Sequence, residues 1–142
     1  MITVLLVRHA DIDLPPGSID PPLNAEGRAR AEALAHIAGS AGVTTIFTSS
    51  FNRTKQTAGP LAALLGLQPQ VTPPPATFAR QVLSGTFGDV IVVAGHSDTV
   101  PQIIAALGAS PPAIGEREFD NLLVVAVAQS AQAGVVRLKY GH

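Results

Sequence analysis

Two histidines and two arginines carry the chemistry that this sequence offers. Arg8-His9 closes an apolar run, Ile2-Thr3-Val4-Leu5-Leu6-Val7. His96 follows a second run, Val90-Ile91-Val92-Val93-Ala94-Gly95. Arg53 stands just past a third, at residues 43–48. Runs of this length and β-branched content read as buried strands, and the carboxyl ends of strands in an open α/β sheet face the crevice where ligands bind. A histidine on such a tip is rigidly held and can serve as a nucleophile. An arginine in the first turn of a helix adds a bidentate donor where unpaired backbone N–H groups already favour an anion. Each feature alone has a plain structural reading, as a surface arginine or a structural histidine. Two imidazoles with two guanidiniums suit phosphoryl transfer through a phosphohistidine, without metal or thiol. One neutral imidazole attacks phosphorus in line, and the other three groups spread the charge of the equatorial oxygens. Water or an acceptor then takes the phosphoryl group.

Composition narrows the alternatives. The chain has 142 residues, of which 46% are apolar and 13% charged, with a formal net charge of −1. That length supports one domain with a real core, and the apolar content argues against disorder. The near-neutral balance supplies no global field for nucleic acid or an acidic membrane. Cysteine is absent, which excludes disulfides, thiolate catalysis and cysteine-based zinc sites. No apolar run reaches the length of a membrane span, and the first run stops at Arg8 with no basic segment before it. The expectation is a cytoplasmic protein.

These residues must be positioned by an alternating chain. A loop punctuated by Pro15-Pro16-Gly17 and Pro21-Pro22 leads to Asn24, which reads as the N-cap of a helix over residues 25–38 ended by Gly39 and Gly42. Ala31, Leu34, Ala35 and Ala38 form its apolar face, and most of its charges are expected in solvent. A strand over 43–48 runs into Ser49-Ser50, which read as helix-start residues. The helix extends to Leu65 with Gly66 as C-cap, and Gly59-Pro60 interrupts its propensity. A short extended piece, Pro73-Pro74-Pro75 and a helical turn or two over 76–84 follow. After the strand over 90–94, Asp98 or Thr99 caps a helix to about Leu107. The tail reads as a loop over 109–121, then strands over 122–128 and 134–139 joined by a turn through Ser130-Ala131-Gln132-Ala133-Gly134. The pattern predicts a three-layer α/β/α sandwich around a mostly parallel sheet, with a C-terminal antiparallel hairpin, over a single domain spanning 1–142.

Four segments also resemble a known family, the histidine phosphatase superfamily with the phosphoglycerate mutase-like fold. Leu5-Leu6-Val7-Arg8-His9-Ala10 is similar to its Leu-Val-Arg-His-Gly signature. Pro22-Leu23-Asn24-Ala25-Glu26-Gly27-Arg28 resembles the start of its first helix, and Thr48-Ser49-Ser50-Phe51-Asn52-Arg53-Thr54-Lys55-Gln56-Thr57-Ala58 its Ser-Ser-x-x-x-Arg segment. Val92-Val93-Ala94-Gly95-His96-Ser97-Asp98 resembles its second-histidine strand. The resemblance implies His9 as nucleophile, with Arg8, Arg53 and His96 completing a phosphate pocket and the Ser97 backbone N–H adding a donor. It implies no cofactor and no metal. Its short members include protein phosphohistidine phosphatases, so the implied partner is a phosphorylated small molecule or a phosphoprotein.

Two departures stand out. Ala10 replaces the family's usual glycine, where a methyl group could crowd the backbone approach. Many members carry a glutamate acid between the Arg53 helix and the His96 strand, yet residues 59–88 contain no Asp or Glu. Asp11, Asp13 and Asp98 are the candidates for that role, with helix capping the default for Asp98. Arg80 could hold a second anionic group. The leading expectation is a metal-independent phosphatase for a phosphomonoester or a phosphohistidine, through a covalent phosphohistidine on His9. The alternatives are a non-catalytic phosphate-binding module, a mutase-type phosphotransferase with Arg80 and Arg117 on a second phosphate, and metal binding by His9, His96 and Asp11.

Overall fold

The computed structural model describes residues 1–128 and 131–141. The elements run β1 (Ile2–Arg8), α1 (Ala25–Ala38), β2 (Thr45–Thr48), α2 (Asn52–Leu65), β3 (Gln70–Val71), α3 (Pro75–Leu83), β4 (Val90–Gly95), α4 (Thr99–Ala106), β5 (Asn121–Ala128) and β6 (Ala131–Lys139). They form one six-stranded sheet in the order β3-β2-β4-β1-β5-β6. The pairs from β3 to β1 are parallel, and β1–β5 and β5–β6 are antiparallel. This is the expected mixed sheet with an antiparallel C-terminal pair.

Strand alternation builds the three layers. Val4 and Leu6 of β1, Phe47 of β2, Ile91 and Val93 of β4 and Leu123 and Val125 of β5 pack with Phe78 and Val82 of α3 and Ile103 and Ile104 of α4. Val7, Ile46, Val92, Ala94 and Leu122 point the other way, onto Leu34 and Ala38 of α1 and Ala58 and Leu61 of α2. Successive side chains of a strand face opposite sides, so the apolar runs of β1 and β4 are continuous because both faces are covered.

Register decides what the strand tips present. In the parallel pair β1–β4, Arg8 lies opposite Gly95, which sets His9 and His96 at the same level. In β2–β4, Thr48 lies opposite Ala94, which sets Ser49 level with Gly95, one residue before His96, on the other side. Three neighbouring parallel strands thus end together, and His9 N–H donates to the Gly95 carbonyl (2.7 Å) to tie the two tips.

Several elements differ from the sequence reading. Helix α2 begins at Asn52 with an extended Phe51 before it, not at Ser49-Ser50. Ser49 is instead held by Thr54, whose Oγ1 accepts from the Ser49 N–H (3.1 Å). Pro60 sits inside α2 without ending it, and Gly66 at φ 67° closes it as expected. Helix α3 runs nine residues from Pro75, where the missing proline N–H costs nothing. Strand β6 starts at Ala131, so most of the expected turn through 130–134 is strand, while Ser130 itself lies outside the described residues. Arg30 leaves the solvated face of α1 and is largely buried against Asp11. Asn24 and Asp98 cap α1 and α4 as read. Among the described residues, no helix is long and apolar enough to cross a membrane.

Candidate active site

A cavity of about 680 Å³ opens at the three strand tips, and Arg8, His9, Arg53, His96, Ser97 and Asp98 all line it. The loop between β1 and α1 forms one wall, through Ile12, Leu14, Pro16, Ser18, Ile19 and Pro21.

His9 is buried, and its Nδ1 lies 2.9 Å from the Ala10 carbonyl oxygen. A carbonyl only accepts, so Nδ1 carries the hydrogen and the neutral ring keeps its lone pair on Nε2. Burial, aided by the nearby Arg8, His96 and Arg53 charges, pushes the His9 pKa down to about 4. At neutral pH the imidazole is therefore uncharged, the form that attacks phosphorus.

The two guanidiniums are fixed in different ways. Arg8 Nη1 donates to the carbonyls of Gly115 (3.2 Å), Glu116 (2.8 Å) and Glu118 (2.9 Å). Its Nε is buried without a partner among the described residues, a donor in want of an acceptor. Arg53 stands in the first turn of α2, with Nη1 3.7 Å from Asp20 Oδ1 and 3.4 Å from the Ile19 carbonyl oxygen. Each lies on a phenylalanine ring, Arg8 at 4.2 Å from the Phe119 centroid and Arg53 at 4.4 Å from that of Phe51. The same rings flank the histidines, Phe119 at 5.8 Å from His9 and Phe51 at 5.4 Å from His96. Stacking holds a guanidinium in plane while leaving its edge free for oxygen.

His96 stands edge-on to His9, with ring centroids 5.5 Å apart. Its Nε2 is 2.8 Å from Ser49 Oγ, which in turn is 2.8 Å from Thr54 Oγ1. Burial, with Arg53 next, lowers the His96 pKa.

The candidate acids separate. Asp11 gives both carboxylate oxygens to Arg30, at 2.7 and 3.2 Å, and Asp13 accepts from Asn24 Nδ2 (3.2 Å). Both line a neighbouring cavity instead, so the structure does not bring them to the strand tips. Asp98 lines the central cavity but also accepts from the Thr99 N–H (2.9 Å) as helix cap. Arg117 lines the neighbouring cavity and Arg80 reaches Thr77, so neither meets the central one. The displacement of Asp11 also leaves the trio His9, His96 and Asp11 unassembled, and among the described residues no group of three metal-binding side chains is gathered. The Ala10 methyl does not crowd the cavity. It is fully buried with Leu23, Ala31 and Phe119, while the Ala10 N–H donates to Thr57 Oγ1 (2.8 Å).

Sequence reasoning missed Ser49, Thr54, Asp20, Phe119 and Glu116. Ser49 depends on a register that no local pattern states. Asp20 accepts from the Asn52 N–H (2.9 Å), capping α2 from 32 residues away. Phe119 and Glu116 come from the loop before β5, on which Arg8 closes.

Fold and site together define an α/β domain with a histidine on each of two adjacent parallel strand tips and two arginines lining the same cavity. Residues 4–74 match the sequence profile of the histidine phosphatase superfamily (branch 1). The chain belongs to that superfamily. Among solved structures, it is similar to the protein histidine phosphatase SixA complexed with tungstate, at 18% identity, a TM-score of 0.77 and 97% coverage of both chains. It is also similar to a mycobacterial glucosyl-3-phosphoglycerate phosphatase bound to inorganic phosphate, at 15% identity and a TM-score of 0.72, covering 100% of this chain and 98% of that one. These likenesses establish the shared fold. A sequence relative, the PE-PGRS family protein PE_PGRS11 of Mycobacterium tuberculosis, is 41% identical over 71 residues, 49% of this chain and 12% of that protein. The chain thus matches only about an eighth of that curated relative's length.

Proposed function

We propose that this protein is a phosphatase that hydrolyses a phosphomonoester or a phosphohistidine through a phosphoryl group carried on His9 Nε2. The observation that carries the reading is the His9 ring itself. Its Nδ1 is committed to the Ala10 carbonyl, burial keeps it uncharged, and it faces a cavity shared with Arg8, Arg53 and His96. In the first step Nε2 attacks phosphorus and the leaving group departs on the far side. Arg8, Arg53 and His96 bind the equatorial oxygens, and the Ser97 backbone N–H adds a donor at the β4–α4 junction. In the second step water attacks the phosphohistidine and the electron pair of the P–N bond returns to Nε2. None of these roles calls for a metal.

The cavity is open rather than enclosed by an inserted domain, which suits a phosphorylated side chain on a protein as well as a small metabolite. The test is hydrolysis of 4-nitrophenyl phosphate with vanadate and chelator controls. Turnover blocked by vanadate and indifferent to chelator supports the reading. No turnover, with phosphate still binding, would leave a non-catalytic phosphate-binding module.

A further inference from the structure

The usual acid segment of this chain holds no carboxylate, since residues 59–88 lack Asp and Glu. A leaving alkoxide nevertheless needs a proton, and general acid catalysis of that kind is worth roughly 10²- to 10⁴-fold. Two carboxylates line the central cavity, Asp98 and Glu116. Asp98 is engaged by the first N–H of α4, and its charge bears on His96. Glu116 is different. Among the described residues none bonds to its carboxylate, and of all charged groups it acts most strongly on Arg8.

Its placement is built, not incidental. The turn Gly115–Glu118 is closed by the Glu118 N–H on the Gly115 carbonyl (3.1 Å) and by the Gly115 N–H on Glu118 Oε1 (2.7 Å). Lys139 Nζ fastens Glu118 Oε2 (3.1 Å), and Arg137 holds the preceding Ala113 carbonyl (2.8 Å). Arg8 Nη1 then gathers three carbonyls of this turn, that of Glu116 among them. The residue next to the nucleophile therefore also fixes the backbone that carries Glu116 over the cavity.

We infer that Glu116, delivered by the α4–β5 loop, is the acid that protonates the leaving oxygen and the base that activates water afterwards. This rests on the phosphatase reading above. As the P–Nε2 bond forms, the electron pair of the breaking P–O bond passes to the ester oxygen, which takes the Glu116 proton and leaves as an alcohol. The Glu116 carboxylate then accepts a proton from the attacking water, the P–N bond breaks, and phosphate departs with the acid restored.

The test compares kcat/KM of the wild type, Glu116→Gln and Asp98→Asn on 4-nitrophenyl phosphate, phenyl phosphate and glycerol 2-phosphate. This ratio covers all steps through departure of the leaving group. Nitrophenolate leaves without help, whereas an alkoxide does not. Glu116→Gln is expected to lose less than about five-fold on the nitrophenyl ester and roughly 100-fold or more on the alkyl ester. Its melting temperature stays that of the wild type, since the side chain is exposed. Equal losses on all three esters with an active wild type would overturn the assignment to Glu116 alone, as would a leaving-group-dependent loss confined to Asp98→Asn. A wild type inactive on every ester would overturn the phosphatase reading and this one with it.

Discussion

His96 Nε2 and Ser49 Oγ lie 2.8 Å apart, a contact that crosses from the tip of β4 to the tip of β2. The hydroxyl can accept from Nε2–H or donate to an Nε2 lone pair, so it steadies the ring in either charge state and leaves Nδ1 as the nitrogen free to meet a phosphate oxygen. Thr54 Oγ1 anchors the serine and is itself tied to the Phe51 carbonyl (2.9 Å). The His96 ring is thus oriented by a hydroxyl pair, Ser49 just past β2 and Thr54 in the first turn of α2.

Ser49→Ala should lower kcat/KM on 4-nitrophenyl phosphate about ten-fold, close to the net worth of one hydrogen bond. Ser49→Thr keeps a hydroxyl and should restore most of it. An alanine variant with wild-type kinetics would show that the contact does not position the ring.

Asp11 and Arg30 form a two-pronged ion pair that is largely out of solvent, and Gly27 packs directly on the Asp11 backbone. Asp11→Asn leaves the Arg30 charge uncompensated and should cost about 3 kcal/mol of stability, read as a fall in the urea midpoint. Its kcat/KM at a temperature where it stays folded should remain within about three-fold of the wild type. A variant of normal stability whose turnover collapses would instead assign Asp11 to the chemistry. Gly27→Ala should destabilise at least as much, because the new methyl meets the Asp11 carbonyl oxygen, which is backbone and cannot swing aside.

The His9 shift makes stability pH-dependent. Its folded-state pKa, about 4, lies below the ordinary 6.5, so the unfolded chain binds this proton first as pH falls. Stability is complete above about pH 7 and declines between 6.5 and 4, by on the order of 3 kcal/mol for this group. The wild type should therefore lose stability relative to His9→Asn across that window when urea midpoints are compared at each pH. A difference that is constant with pH would contradict a buried neutral His9.

Asp20 caps α2 through the Asn52 N–H and lies near Arg53. Asp20→Ala should cost about 1 kcal/mol as a lost cap. It should also tighten vanadate inhibition, since a competing carboxylate has left the vicinity of the guanidinium. Weaker inhibition in a stable variant would mean that Asp20 positions Arg53 instead of competing for it.

Much of this was legible in the sequence. The apolar runs of β1 and β4 named their own burial and their own tips, and Asn24, Gly66 and Asp98 marked helix ends by local chemistry. What the sequence withheld depends on distance. Ser49 looks like a helix start because serine favours that position, and only the β2–β4 register turns it toward His96. Arg30 looks like one more charge on an exposed helix face until the loop after β1 delivers Asp11 to it. Glu116 and Phe119 sit in a stretch with no periodicity, and Arg8 gives that loop its shape from more than 100 residues away.

The central claim is the covalent step on His9. The most direct measurement is to mix the wild type with ³²P-labelled phenyl phosphate, quench within milliseconds in alkali, and locate the label by peptide mapping. The account predicts a label that survives alkali, is lost in acid, maps to His9, and disappears in His9→Ala together with turnover. Turnover without a trapped label in a His9→Ala variant as active as the wild type would contradict it.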